Sequence, residues 1–414
     1  MSKKKLIPEL RFSEFTKDEE WLEKRLGDVE VSRFVSKKID GEKLTVDNYI
    51  STDNMLPDYS GIAKASRLPT TDRVTEYIEG DVLISNIRPY LKKVWKADRK
   101  GGASNDVLVF RSGASVKSEF LEYVLKNDAF INYVMRSAKG VKMPRGDKDF
   151  MLEYPVVVPH PQEQQKIASC LSSLDELIAA HTDKLEVLKD HKKGLLQNLF
   201  PQEGQKVPEY RFPEFEKDGE WELSPFSKFI KLYRGSSPRP ISDYLTKAES
   251  GVNWIKIGDT GTITDFVIRS VSEKITPKGA EKSRKVKKGE LILANSMSYG
   301  YTYQLALDGC IYDGWFVLRE YEEVFDKQFL LQSLNSDYMQ DQYKKLAAGG
   351  IVKNISSEIV YSTLIPNTSR KEQQKIASCL SAVDELITEQ TEKIEQLQQH
   401  KKGLMQGLFP QIEN

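Results

Sequence analysis

The chain is written twice, and that repeat limits what it can fold into more than any other feature. Residues 163–202 read EQQKIASCLSSLDELIAAHTDKLEVLKDHKKGLLQNLFPQ, and residues 372–411 read EQQKIASCLSAVDELITEQTEKIEQLQQHKKGLMQGLFPQ. The displacement is 209 (372 − 163), and about seven positions in ten are identical. A shorter block, IPELRFSEFTKDEEW from Ile7, returns as VPEYRFPEFEKDGEW from Val207, displaced by 200 (207 − 7). The order is therefore short block, variable region, helical segment, then the same again with nine more residues (209 − 200) in the second variable region. Two copies are too few for a solenoid, which closes its core with three or more. A duplicated, two-headed molecule is expected.

The long repeat is a helix with a seam. Ile167, Leu171, Leu174, Ile178, Leu185, Leu188 and Leu195 alternate at spacings of four and three, as do Ile376, Leu380, Val383, Ile387, Ile394, Leu397 and Leu404. That period of 3.5 makes a coiled-coil stripe. Both copies interrupt it at matching places, His181 with Gln390 and Lys192 with Lys401, and polar groups at seam positions fix register at a cost in stability. Pro161 suits a first helical turn, Ser369 with Glu372 has capping-box spacing, and Pro201 and Pro410 end the two segments. Some 38 residues give a rod of about 57 Å. The simplest partner for each helix is the other one. Cys170 and Cys379 flank the seam as small apolar filler.

The variable regions read as mixed α/β domains. Strand-like runs are predicted at 81–84, 107–110 and 154–158 in the first and at 291–293, 315–318 and 359–365 in the second, with helical patterns at 119–135 and 327–346. In each, an apolar strand (GDVLISN from Gly80, GELILAN from Gly289, again 209 apart) runs into a polar loop. The stretch 86–100 carries six bases and one acid; the stretch 274–288, which precedes the second loop, carries seven and one. Lysine and arginine on such a patch would neutralise phosphates, and amide, guanidinium and hydroxyl groups at a loop tip have the geometry that reads base edges. The candidate DNA contacts are Asn86, Arg88, Tyr90, Lys92 and Lys93 in the first loop and Asn295, Ser296, Ser298, Tyr299 and Tyr301 in the second. A later basic loop in each half, 139–146 and 348–354, adds Lys142, Arg145 and Lys353. Its alternative reading is a helix cap at Gly140 or Gly349 followed by a turn.

Composition narrows the function. Sixty-one basic residues balance sixty-one acidic ones, so polyanion binding must come from local patches. No apolar run reaches the length of a membrane span, and three cysteines and four histidines show no metal-ligand spacing. The expectation is a cytoplasmic, reduced, metal-free chain. Phosphate loops, dinucleotide fingerprints, nucleophile elbows and paired-carboxylate or Ser/His/Asp arrangements are not found in the sequence. Any chemistry on DNA is expected from partners.

The paired EQQKIASCL…LDELI…HKKGL…LFPQ segments, the P-E-x-R-F-x-E-F…W blocks and GDVLISNIRPYLKKVW with GGASNDVLVFR resemble the specificity (S) subunit of type I restriction–modification systems over essentially the whole chain. The resemblance implies an α+β molecule. Two mixed α/β target recognition domains, 1–158 and 204–368, would be separated by two helical spacers, 159–203 and 369–414, packed as an antiparallel coiled coil with pseudo-two-fold symmetry. Each domain would read one half of an asymmetric bipartite site in double-stranded DNA, while the helices set the spacer and dock two methyltransferase (M) subunits. Restriction (R) subunits would complete the assembly. The chain would be non-catalytic and bind no cofactor, with S-adenosylmethionine in the methyltransferase and ATP and magnesium in the restriction partner. The competing reading is a coiled-coil interaction scaffold with two ligand-binding heads and no DNA role. A steep salt dependence of DNA binding separates the two.

Overall fold

A computed structural model describes residues 6–18, 20–261, 263–296, 300–347 and 354–410. The chain falls into two compact units, one made of Met1–Thr182 with Lys393–Asn414 and the other of Asp183–Glu392. These boundaries differ from a four-part division by sequence. Each unit takes one head, the first half of the helix that follows it, and the second half of the other helix.

In the first unit the order is β1 (Leu22–Arg25), β2 (Ser32–Phe34), β3 (Lys38–Asp40), β4 (Tyr49–Ile50), β5 (Arg73–Tyr77), β6 (Val82–Ser85), β7 (Val94–Lys96), β8 (Gly101–Ala103) and β9 (Val107–Ser112). Then come α1 (Ser118–Leu125), α2 (Asp128–Ser137), α3 (Lys148–Leu152), β10 (Pro155–Val158) and α4 (Pro161–Asn198). Sheets β2-β9-β6-β7 and β3-β5-β8-β4 carry the head, and β1 pairs with β10. Strand β6 is apolar without alternation because it is covered on both faces. Val82 and Ile84 join a cluster with Phe110, Phe120 and Val124, while Leu83 packs with Trp95 and Val109.

The second unit repeats this plan with more strands. They are β11 (Glu222–Pro225), β12 (Lys231–Arg234), β13 (Leu245–Thr246), β14 (Val252–Ile255), β15 (Val267–Ile268), β16 (Glu273–Ile275), α5 (Pro277–Ala280), β17 (Arg284–Val286), β18 (Leu291–Ala294) and β19 (Thr302–Leu305). They are followed by β20 (Gly309–Ile311), β21 (Trp315–Arg319), α6 (Lys327–Leu334), α7 (Asp337–Ala347), α8 (Ser357–Ser362), β22 (Leu364–Asn367) and α9 (Arg370–Leu408). The sheets are β12-β21-β18-β19-β15, β13-β16-β14-β20-β17 and β11-β22. Here β18 is the doubly covered strand, with Leu291 and Leu293 on one side and Ile292 and Ala294 on the other.

Two local expectations are revised. The helical patterns at 119–135 and 327–346 each break into two helices, at Lys126-Asn127 and Asn335-Ser336. Asn127 caps α2 by accepting from the Ala129 amide, which starts a new helix instead of continuing the old one. Residues 359–365 are not one strand. Ser356 caps α8, whose buried Val360 faces the core, and β22 begins only at Leu364.

The helix halves run antiparallel within each unit. In the first, Lys401 of α9 bonds Asp175 of α4, while Ile167 and Leu171 share a cluster with Met405 and Leu408. In the second, Lys192 of α4 lies 2.6 Å from Asp384 of α9, while Leu199 and Phe200 share a cluster with Ile376 and Leu380. Moving up one helix means moving down the other. All fourteen seam residues are buried or half-buried, and the exposed Leu177, Val187 and Leu386 lie off the seam. The lysines that interrupt the stripe are thus the ones that pair across it. Each helix end is anchored by the phenylalanine of its LFPQ motif. Phe409 stacks on Phe120 and Phe200 meets Phe329, both at 5.4 Å between centroids.

The short blocks prove to be clamps. Arg11 grips Glu163 with two hydrogen bonds of 2.7 and 2.8 Å, and the Trp21 indole N–H donates to the same carboxylate at 3.0 Å. Arg211, Trp221 and Glu372 repeat the arrangement at 2.7, 2.8 and 3.3 Å. Ser369 does cap α9, accepting from the Glu372 amide, but the Glu372 carboxylate turns to the clamp instead of closing a capping box. Gln164 and Gln373 finish the joint. Each is fully buried and accepts from a head amide, Lys117 or Asp326, at the start of α1 or α6. Among the described residues no helix is long and apolar enough to cross a membrane.

Candidate nucleic-acid interface

The two loops singled out in the first head meet. At the end of β6 the chain turns through Arg88 (φ 50°), a short 3-10 turn over Pro89–Leu91, and Lys92 (φ 53°). Two side-chain-bearing residues in the left-handed region are uncommon and are held by surrounding contacts. At Lys92 the Tyr59 amide donates to the Lys92 carbonyl at 2.9 Å, and at Arg88 the contacts come from the loop at 139–146. The Arg88 amide donates to the Pro144 carbonyl at 2.8 Å, the Gly146 amide donates to the Asn86 carbonyl at 3.3 Å, and Ile87 bridges Arg145. Gly146 fits closely here, because a Cβ would stand 2.8 Å from Val134 Cγ1 as well as 2.1 Å from the mobile end of Met151.

Within this surface the candidate residues divide. Tyr90, Lys142 and Arg145 are exposed, and Arg145 reaches Asp106 at 3.0 Å. Lys92 pairs with Asp128 at 2.7 Å over the Tyr59 ring, and Lys93 donates to the Thr52 carbonyl at 2.7 Å, so both ammonium groups are occupied within the head. Asn86 lies inside the loop. Among the described residues its Oδ1 and Arg88 Nε are buried polar atoms with no hydrogen-bond partner, which is costly unless something else supplies one.

The second head brings the equivalent segments together. Ser296 bridges Asn354, and the Ile355 amide donates to the Asn295 carbonyl at 2.8 Å. Asn295 is buried and donates through Nδ2 to the Asp313 carbonyl at 3.0 Å, so it supports the loop from inside. Tyr301 is exposed and stacks on Phe266, with centroids 6.2 Å apart and planes at 18°. Ser298, Tyr299 and Lys353 lie outside the described residues.

Sequence reasoning missed what braces these surfaces. Arg111 on β9 holds buried Asp81 with two 2.7 Å bonds, and Arg319 on β21 holds Glu290 at 2.8 Å, each pair tying the base of the reading strand to its neighbour. Asp81 keeps the Arg111 guanidinium charged, raising its pKa against the cost of burial. The signal available was the acid that follows Gly80 and Gly289 in the two aligned strands. Cys310 is packing, not chemistry: burial pushes its thiol up to about 11.

Two heads, each presenting joined loops at the end of a doubly buried strand and each clamped to antiparallel helix halves, define a duplicated, double-headed scaffold. A family model described as the type I restriction modification DNA specificity domain matches residues 18–190 and again 219–399. The chain belongs to that family. It is 25% identical over 328 residues to the type I restriction enzyme MjaVIII specificity subunit of Methanocaldococcus jannaschii, covering 76% of this chain and 72% of that one. Against the putative type I restriction enzyme MjaX specificity subunit of the same organism it is 25% identical over 345 residues, 80% and 78% of the two chains. The crystal structure of the type I restriction–modification S subunit from M. genitalium superposes with a TM-score of 0.61 at 12% identity, covering 98% of this chain and all of that one. A chain from a structure on complex assembly and conformational transition of the type I R-M system gives 0.59 at 19% identity, covering 94% and 97%. These two likenesses show a shared fold.

Proposed function

We propose that the chain is the sequence-reading subunit of a type I restriction–modification complex. Each head reads one half of an asymmetric, bipartite site in double-stranded DNA, the helices set the interval between half-sites, and each unit docks one methyltransferase subunit. Restriction subunits join that core. The chain contributes no catalytic residue. S-adenosylmethionine belongs to the methyltransferase partner, ATP and magnesium to the restriction partner, and the complex works on DNA in the cytoplasm.

One observation carries this reading. In both heads, loops more than 50 residues apart in sequence are joined backbone to backbone at the end of the same strand, yet their side chains differ between heads. A shared frame with unlike tips is what two different half-sites require, because direct readout depends on which donors and acceptors stand at the tip. The exposed Tyr90, Lys142 and Arg145 in the first head and Tyr301 in the second are the residues best placed to touch the duplex.

The test is expression with a methyltransferase partner in a host lacking other DNA methylation, followed by methylome sequencing. The expected result is adenine methylation at one two-part motif. In the Lys142→Gln/Arg145→Gln variant, methylation should weaken or one half of the motif should change. Complete methylation of an unchanged motif by that variant would remove these residues from the interface, and DNA binding insensitive to salt would favour a scaffold without a DNA role.

A further inference from the structure

The second head carries a basic track that no part of the reading loop accounts for. It starts at Asp313, whose carbonyl accepts from Asn295 Nδ2 at 3.0 Å and from Arg234 Nε at 3.2 Å. Arg239 reaches the carboxylate of the same residue at 3.6 Å. From Arg234 the track continues along edge strand β12, where the Tyr233 ring has the guanidinium groups of Arg284 and Arg319 at 5.7 and 5.6 Å from its centroid. Beyond it a recess is lined by Lys282, Arg284, Lys285, Lys287 and Arg319 against two carboxylates, Glu281 and Glu290. Glu290 is already engaged by Arg319 at 2.8 Å. Gly235 lets this edge lie close, since a Cβ there would sit 1.9 Å from the Tyr312 carbonyl oxygen.

The matching edge of the first head is different. There β5 pairs with β8 as β17 pairs with β20, and the positions 209 residues before Lys282, Arg284, Lys285 and Lys287 hold Arg73, Thr75, Glu76 and Ile78, with Lys37 at 2.9 Å from the Glu76 carboxylate. The basic character therefore belongs to one head, not to the fold. A guanidinium held beside an aromatic ring is partly pre-organised for a phosphate, and contacts to phosphates position a protein on DNA without reading sequence.

We infer that the track from Arg239 and Arg234 through Arg284, Lys285 and Lys287 holds the phosphodiester backbone beside the bases read by the second head. The second half-site thus gains a phosphate grip that the matching strand of the first head does not supply. This rests on the DNA-reading role above and assigns that role a second, sequence-independent surface.

The test uses the full chain assembled with its methyltransferase partner and a duplex carrying the methylated motif. Wild type and Lys285→Gln/Lys287→Gln are titrated at several salt concentrations. Both lysines are exposed, so the fold is kept, and thermal unfolding verifies this. Each lost phosphate contact removes about 0.9 from the slope of log affinity against log salt, so the double variant should lose about 2. Its affinity should fall about tenfold at low salt, with the motif unchanged. A control in the first head, Arg73→Gln at the exposed position that matches Lys282, should keep the wild-type slope. A wild-type slope in the double variant, while wild type itself shows steep salt dependence, overturns the track but leaves the reading role standing. A flat slope in wild type overturns the reading role itself.

Discussion

At the scale of single residues, the strongest commitments are the buried charges that join heads to helices. Arg11 and Glu163 are 7% and 1% exposed, and Arg211 and Glu372 are 6% and 1%. Removing one partner of such a pair strands the other charge away from water and costs about 3–5 kcal/mol. Glu163→Gln and Glu372→Gln should therefore each lower stability by that amount in chemical denaturation, through different units. Arg11→Met with Glu163→Leu should cost much less, because no charge is left behind. Asp384 offers a second reading. Burial, with Asp265 nearby, raises its pKa above the ordinary aspartate value, and Lys192 pulls it back down. A carboxyl whose folded pKa is raised favours folding at acid pH, and that advantage is lost as pH rises through the folded value. Lys192→Met removes the offsetting cation. Its stability, followed by denaturant melts, should fall more steeply than that of wild type as pH rises from about 4 toward neutrality. Equal slopes in both proteins would show that Lys192 does not act on this carboxyl.

At the scale of elements, the two helices were the most legible part of the chain. A 3.5-residue period over five heptads leaves few alternatives, and every seam residue read from it is at least half-buried. The destination of the interrupting lysines was less legible, because Lys192 and Lys401 find their aspartates on a helix some 200 residues away in sequence. Both ion pairs obey one register, since 192 + 384 and 175 + 401 give the same sum. An insertion of four residues after Asp183 alone must therefore break one pairing or the other. A matched insertion of four after Asp183 and four after Glu392 keeps both. The matched variant should fold normally and prefer a DNA spacer longer by about two base pairs, from about 6 Å of added helix. Methylome sequencing reads the spacer directly, and an unchanged interval would end the ruler idea. The short strands were mostly illegible. Runs such as Tyr49–Ile50 or Val267–Ile268 are two residues long and exist only because a neighbouring strand supplies their hydrogen bonds.

At the scale of the whole molecule, the duplication separates what is kept from what is varied. The kept parts are the clamps, the buried glutamines and the terminal phenylalanines, which join head to helix, and the ion pairs that join helix to helix. The varied parts are the tips. Exchanging residues 22–158 for those of another such subunit should thus change one half of the methylated motif and leave the other half and the spacer alone. A change in both halves would refute independent heads. The loops after the aligned strands were legible in the chain, but which of their side chains turn inward was not. Asn86 and Asn295 looked like loop-tip amides and are interior supports, because side-chain direction at the end of a buried strand depends on contacts that come from residues 139–146 and 354–355.

The division of the chain into units has a consequence for synthesis. The second unit, Asp183–Glu392, is one continuous stretch, whereas the first takes its last strap from Lys393–Asn414. As the polypeptide leaves the ribosome, its opening head must wait, with the apolar groove around Phe120 and Leu171 uncovered, until Met405, Leu408 and Phe409 arrive. The middle of the molecule can mature before its beginning, and the interval between the two is when nascent chains are most exposed to aggregation and most in need of a chaperone.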